Sequence, residues 1–295
     1  MDRSPGLLLA DKPSGLGSAA LVARLKRELG GVKVGHTGTL DRFTSGLMIL
    51  LTGRGTAFAD YFLHQDKSYR ADFRLGLSTN THDPTGEILE ERSQEETEKF
   101  FRENRAGILA TLLDFQKATS QRPPVFSALK KGGRRYSDLA RSGAAEEPPE
   151  RPIQVHELRI LDVDESSWTI TAELEVSSGT YIRSFARDLG DAIGFPAHLS
   201  ALRRLSVGKF RLNDAELWVP DKTPPQTRSV TEVLDWERRT LSPDEAALVL
   251  QGRLVELQEL PESGADFFLV DEKGGLLAWA RAERTSYRFR KVFSD

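Results

Sequence analysis

The apolar run at residues 7–10 is followed at once by Asp11-Lys12-Pro13-Ser14-Gly15. Such a run predicts a short buried strand, and the proline–glycine cluster a turn. Ser18 is placed to cap a helix reaching about Leu29, with Leu21, Val22, Leu25 and Leu29 on one face and Gly30-Gly31 at its end. Residues 35–41 are polar and glycine-punctuated, which predicts a loop, and residues 47–51 a second apolar strand. A helix is expected over 56–64, a strand over 69–77, and an amphipathic helix over 94–113.

Pro123-Pro124 opens an irregular stretch, with a short helix at 136–141 and a loop rich in Ala, Glu and Pro at 143–152. Residues 153–163 and 168–177 alternate as strands do and predict an antiparallel hairpin turning at 164–167. Thr180 is placed to cap a helix over 181–193 that ends at Gly194. Residues 220–227 are polar and proline-bearing, a linker pattern. From about Leu241 the pattern changes to a short helix (243–250) and three short strands (267–270, 276–281, 288–293), with a tight turn at 271–275. The pattern gives mixed helix and strand content with a small β-rich C-terminal module.

The 295 residues contain no cysteine, which excludes disulfides, thiolate metal sites and cysteine nucleophiles. The N-terminal apolar run is too short for a signal peptide or a membrane span, so a cytoplasmic protein is expected. Net charge is -3, which by itself does not suggest a nucleic-acid partner. Its distribution does. Residues 117–141 carry seven Lys/Arg and one acid, residues 199–211 four and none, and residues 279–292 five and one. An acidic block at 86–98 offsets them. Segregated charge can make a basic face on a near-neutral protein, although any single run is as readily a solvated surface.

Two polar segments carry candidate chemistry. Gly35-His36-Thr37-Gly38-Thr39-Leu40-Asp41 supplies a carboxylate on a loop between apolar segments. Ser177-Ser178-Gly179-Thr180-Tyr181-Ile182-Arg183 joins a strand to a helix. An arginine there can hold a carboxylate in a charge-assisted pair and orient it as nucleophile or base. Taken singly, a loop Asp more often serves a turn, and a helix Arg more often faces solvent.

The order of the motifs goes further. From Gly6 to about Arg211 the chain resembles the TruB family of pseudouridine synthases. The resemblance rests on the segments starting at Gly6 (GLLLADKPSG), Gly35 (GHTGTLD), Asp66 (DKSYR), Gly76 (GLSTNTHD), Pro124 (PVFSALK, with Gly133, Tyr136, Ala140, Arg141 and Gly143 after it), Gly179 (GTYIR) and Ala201 (ALRRL). It implies an α+β class, the pseudouridine synthase fold, with a mixed, mostly antiparallel sheet and flanking helices over residues 1–225. It also implies a thumb-like RNA-binding insertion at 117–152 and a PUA-like module at 240–295; the bland alternative for that module is a stabilising cap.

The resemblance implies catalytic roles for Asp41, Tyr69 and Arg183, and substrate contacts from His36, Tyr181, Leu202 and Lys130. Asp41 would assist cleavage of a uridine's glycosidic bond, and Tyr69 would pack on the flipped base and take the C5 proton. Arg183 would pair with Asp41. Lys12 and Pro13 are given a structural role. The implied substrate is a T-loop uridine of tRNA, U55 in conventional tRNA numbering, with no cofactor, no metal, no membrane and no obligatory protein partner, and the protein a monomer. Two departures stand out. Arg42-Phe43-Thr44-Ser45 replaces the usual Pro-Leu-Ala-Thr after the aspartate, which is expected to loosen the loop and to let Arg42 compete with Arg183 for Asp41; and Phe126 stands where Tyr is common. The competing readings are a tRNA-folding chaperone with weak or lost activity, and a synthase acting on another T-loop-like RNA.

Overall fold

The computed structural model describes residues 5–144, 146–213 and 217–294; Met1–Ser4 and Ala145 of the expected 143–152 loop lie outside them. In chain order the elements are β1 (Gly6–Lys12), α1 (Ser18–Glu28), β2 (Val34–His36), β3 (Ser45–Thr52), α2 (Ala59–Leu63), β4 (Lys67–Leu75), β5 (Leu77–Thr79), β6 (Ile88–Glu91) and α3 (Gln94–Asp114). Short pieces follow: β7 (Ser120–Gln121), β8 (Lys130–Lys131), β9 (Arg134–Arg135), α4 (Tyr136–Arg141) and β10 (Arg151–Pro152). Then come β11 (Val155–Asp164), β12 (Thr169–Val176), α5 (Ile182–Ile193), β13 (Ala197–Val207), β14 (Phe210–Arg211), β15 (Arg228–Ser229) and α6 (Val230–Leu234). The chain closes with β16 (Arg238–Thr240), α7 (Pro243–Leu250), β17 (Asp266–Val270), β18 (Leu276–Ala282) and β19 (Tyr287–Val292).

One nine-stranded sheet organises the molecule, in the order β11-β12-β4-β13-β3-β1-β15, with β14 on β13 and β2 on β3. Its pairs are antiparallel except β13 with β3. Along β4 the side chains alternate: Tyr69, Ala71, Phe73 and Leu75 are buried, while Arg70 and Arg74 are exposed. The buried row packs with Ile170, Ala172 and Leu174 of β12 beneath α3 (Phe101, Ile108, Leu112) and α5 (Phe185, Leu189). β1 and β3 are buried on both faces. Leu7, Leu9, Leu47, Ile49 and Leu51 face Phe58 and Phe62, while Leu8, Ala10, Met48 and Leu50 face Leu21, Leu25 and Trp218. Two-sided burial is why these strands read as unbroken apolar runs.

The C-terminal residues form a four-stranded sheet, β16-β17-β18-β19. Alternation on β17 splits its duty: Phe267 and Leu269 fill a local core with Val249, while Phe268 and Val270 join the core beneath β1 and β3. The two sheets meet through aromatic rings. Phe58 stacks on Trp279 at 5.1 Å between ring centroids and on Phe293 at 5.6 Å. The 220–227 stretch runs over the surface, pinned by Trp218 bonding to Leu9 before it and by β15 pairing with β1 after it.

Several local expectations are corrected. Ser18 does not cap α1; Gly17 holds that position, and the Ser18 hydroxyl reaches residue 40 instead. Thr180 does not cap α5, whose N-cap is Tyr181 without a side-chain bond. The helix expected at 56–64 divides into a tight turn at Gly53–Phe58 and α2. The strand expected at 69–77 breaks at Gly76, whose φ of +94° only glycine adopts without strain. β13, the longest strand of the sheet, lies on residues 197–207, where the hydrophobic pattern predicts no strand.

Candidate active site

The site begins at a gap in the sheet. On one edge, β3 pairs with β13 at Ser45 and Gly46 and with β2 at Leu50, Leu51 and Thr52. Between these pairings the sheet opens, and residues 37–44 fill the opening. The freed β3 carbonyls are satisfied from elsewhere. Thr37 N donates to Ile49 O at 3.2 Å, and Arg204 Nε donates to Leu47 O at 2.7 Å. Leaving such a buried carbonyl unpaired would cost about 1–3 kcal/mol. Arg204 is itself buried, and burial lowers its pKa, opposed by the neighbouring Tyr69.

Three elements grip the loop that carries Asp41. Ser18 Oγ donates to Leu40 O at 2.8 Å and accepts from Leu40 N at 2.9 Å. Gly15 N donates to Arg42 O at 2.7 Å, and Ser14 Oγ to Phe43 O at 2.7 Å. Thr44 N closes a turn onto Asp41 O at 3.2 Å. The Pro13-Ser14-Gly15 turn therefore braces the residues that follow Asp41, and the missing proline does not leave them loose. Nor does Arg42 compete for the carboxylate: its Nε turns to Gly15 O at 3.3 Å. Phe43 packs against the main core.

Arg183, in the first turn of α5, reaches four acceptors at once. Its Nε lies 2.9 Å from Asp41 Oδ2, its Nη1 donates to Thr81 O at 2.9 Å and lies 3.5 Å from Asp83 Oδ2, and its Nη2 donates to Phe126 O at 2.9 Å. The side chain is only 5% exposed. A planar fork in a fixed orientation suits this role, and a flexible ammonium would not fill it. Asp83 is oriented in turn by Thr81 Oγ1 at 2.9 Å and Thr85 Oγ1 at 2.6 Å.

Asp41 opens onto a cavity of about 500 Å³ that is also lined by Tyr69, Tyr181, Arg183 and Leu202. Although 43% of the Asp41 side chain is exposed, dense walls surround the carboxyl and push its pKa above the ordinary aspartate value. Asp83 pushes the same way, while Arg183 and Lys12 pull back. Burial lowers Lys12 to about 8, partly opposed by Asp41 and reinforced by Arg204; its Nζ donates to Leu16 O at 2.6 Å. Burial likewise lowers Lys67, on the cavity wall, to about 8.

The structure thus brings together five of the seven residues expected at the site. His36 and Lys130 lie outside the cavity. His36 ends β2 and accepts from Gly38 N at 3.4 Å; burial, then Arg204 and Arg135, lower its pKa. Lys130 is exposed on the β8–β9 hairpin. Sequence reasoning assigned no role to Arg204, Asp83, Lys67 or Arg151. The first three belong to motifs already singled out; Arg151, on the cavity wall, lies near the end of the 117–152 insertion but in no motif.

Folding also rearranges the charge. In the basic 117–141 stretch, Lys117 pairs with Asp114, Arg122 with Glu147, Lys131 with Glu146 and Arg141 with Asp138. Arg203 pairs with Asp11, Arg281 with Asp266 and Arg288 with Glu283. Window counts therefore overstate the basic surface. Among the described residues no group of three His, Cys, Asp or Glu could hold a metal, and no helix is long and apolar enough to cross a membrane.

Comparisons with known proteins identify a family and a fold. A family model described as TruB family pseudouridylate synthase (N terminal domain) matches residues 26–182. A Leptospira interrogans protein named tRNA pseudouridine synthase B is 39% identical over 299 residues, covering 98% of this chain and 94% of that one. A Corynebacterium jeikeium protein of the same name is 36% identical over 287 residues, covering 91% of each. Among solved structures, a Cbf5-Nop10-Gar1 complex matches with a TM-score of 0.63 at 23% identity, over 95% of this chain and 79% of that one. An H/ACA RNP bound to a substrate RNA containing 2'-deoxyuridine matches with a TM-score of 0.64 at 20% identity, over 98% and 85%. At these identities the structural matches speak for the fold alone.

Proposed function

The chain belongs to the TruB family of pseudouridine synthases, and on that premise we propose that it converts a T-loop uridine of tRNA, U55 in conventional numbering, to pseudouridine with Asp41 as nucleophile. The observation that supports this most is the Asp41–Arg183 pair, 2.9 Å apart, on a cavity shared with Tyr69, Tyr181 and Leu202. About 500 Å³ suits one flipped nucleotide, since small-ligand sites run to about 300–1,000 Å³.

The isomerisation is redox-neutral. The ionised Asp41 carboxylate attacks C1′ as the N1–C1′ bond breaks, and uracil leaves with the bonding pair. The detached base turns in the cavity between Tyr69 and Leu202, and C5 forms the new bond to C1′ as the Asp41–C1′ bond breaks and the carboxylate is released. The C5 proton leaves to Tyr69 or to water ordered by it, and N1 regains a proton. Arg183 keeps Asp41 ionised and aimed, and the buried Arg204 lies beside Tyr69 on the cavity wall. Turning the uridine out of its stack costs roughly a few kcal/mol. His36, outside the cavity on β2, would contact the loop that the base leaves. The exposed Lys130 would meet backbone phosphate from the thumb-like 117–152 segment, and the C-terminal sheet serves as a PUA-like RNA contact.

Tritium release from tRNA transcript labelled at uracil C5 tests the reading. Wild type should release label mapping to one T-loop position, and Asp41→Asn none. Tight tRNA binding with no release by wild type would overturn it.

A further inference from the structure

A second cavity, of about 590 Å³, lies at the joint between the two sheets, away from Asp41. Its walls come from three places: Gly31–Lys33 after α1, Gly53–Ala57 after β3, and Lys291–Ser294 at the end of β19. Lys33, Arg54 and Lys291 supply three cations, and among the described residues no acid lines it. In the 117–141 stretch, by contrast, four of the seven basic side chains are paired with carboxylates. Lys33 and Lys291 are exposed and have no side-chain hydrogen bond or ion pair among the described residues. Arg54 is fixed: it donates to Phe293 O, and its guanidinium carbon lies 5.2 Å from the Phe293 ring centre.

The position of the cavity narrows its ligand. Lys33 immediately precedes β2, whose last residue is His36 at the edge of the catalytic loop. Three extended residues span about 10 Å. Within β2, Gly35 packs against Thr56 of the cavity wall, where an added Cβ would have 3.5 Å. β3 runs from Ser45 beside the catalytic loop to Thr52 at the cleft, so the cleft lies roughly 23 Å from the site, within reach of a helix that continues from the target loop.

We propose that this cleft is a binding site for the phosphodiester backbone of the RNA stem adjoining the target loop. The inference rests on the reading of this chain as an RNA-modifying enzyme, and it assigns a contact that needs both sheets at once. Lys33 and Lys291 act as point charges on phosphate, and Arg54 sets the floor between them. Phosphate contacts position an RNA without reading its sequence. Stems of any sequence are therefore accepted, and affinity follows stem length.

The test uses the full chain and two RNAs: a target loop on a long stem, and the same loop closed by two base pairs. Lys33→Glu/Lys291→Glu is compared with wild type by equilibrium binding across a salt series; both positions are exposed, and thermal melting checks the fold. The expected result is at least about tenfold weaker binding of the long-stem RNA, with the log–log salt slope shallower by about 2. The loss should be confined to the long-stem RNA. Unchanged affinity and slope would overturn the proposal. An equal loss on the short RNA would also overturn it, because that would reflect the charge of the whole protein. Tritium release by wild type on the long-stem RNA is run alongside. Its failure would strike the proposed reaction, while the binding comparison would still judge the cleft.

Discussion

Arg183 Nε stands 2.9 Å from Asp41 Oδ2, and the same guanidinium donates to the carbonyl of Phe126 at 2.9 Å. One buried side chain thus ties the candidate nucleophile to the backbone of the segment expected to grip RNA. Arg183→Lys keeps the charge but cannot hold Asp41, Thr81 and Phe126 together. A misplacement of about 1 Å can cost about 100-fold in rate. Steady-state kinetics should therefore show kcat at least about 100-fold lower, with KM changed by less than about threefold. Arg183→Met strips the partner from buried Asp83 and should destabilise the fold by about 3–5 kcal/mol in denaturant titration. Near-normal kcat in Arg183→Lys would remove the fork from the mechanism.

The acid limb of activity follows Asp41. Its carboxyl is raised above the ordinary aspartate value by enclosure and by Asp83. On the proposed mechanism turnover needs the ionised form, so the rate should rise with pH through a pKa above that of a free aspartate. The stability sign is opposite. Between the unfolded and the raised folded pKa the native state binds more protons, so stability falls as pH rises through that window and is level beyond it. Asp41→Asn mimics the protonated form. It should be inactive, yet melt at or above wild type at neutral pH, with the difference fading below the ordinary aspartate pKa. A lower melting temperature at neutral pH would show that Asp41 is stabilised by its surroundings.

Much of this site was legible in the chain because its motifs are local. Gly35–Asp41 and Gly179–Arg183 are contiguous, and the strands around them are marked by unbroken apolar runs. What escaped has one physical origin: a side chain's partner can lie far away in sequence. Ser18 has the chemistry of a helix cap, but its hydroxyl is used by Leu40. Arg203 and Arg204 look alike in sequence, yet one pairs with Asp11 at the surface and the other is buried against Leu47. That charged pair also masked β13. The basic 117–141 stretch was read as open charge because Glu146 and Glu147 fall outside the window.

Gly46 shows how tightly the gap in the sheet is built. Its φ is +107°, and a Cβ there would come within 2.2 Å of Arg204 O. Neither the backbone conformation nor the space admits a side chain. Forcing a non-glycine residue into such a region costs about 1–3 kcal/mol before any clash is counted. Gly46→Ala should therefore lower the melting temperature by several degrees and reduce activity further than stability alone explains, because β13 carries both Leu202 and Arg204. Gly15→Ala is the comparison: its φ of +86° imposes backbone strain, but nothing lies within 4 Å of the added carbon. It should melt closer to wild type. Equal effects from the two substitutions would mean that the contact with β13 does not matter.

Phe58 sets how the two sheets move. It is fully buried, stacked between Trp279 and Phe293, with Phe268 edge-on at 6.1 Å. An interface built from core aromatics should not hinge. The catalytic and C-terminal sheets are therefore expected to unfold together, in one transition. Tryptophan fluorescence, dominated at the joint by Trp236 and Trp279, should coincide with far-ultraviolet circular dichroism in denaturant. Phe58→Ala removes the shared ring and should cost about 3–5 kcal/mol. It should also separate the two signals, with the fluorescence change coming first as the C-terminal sheet loosens. Two separate transitions in wild type would contradict a shared core and would make the C-terminal sheet an independent unit.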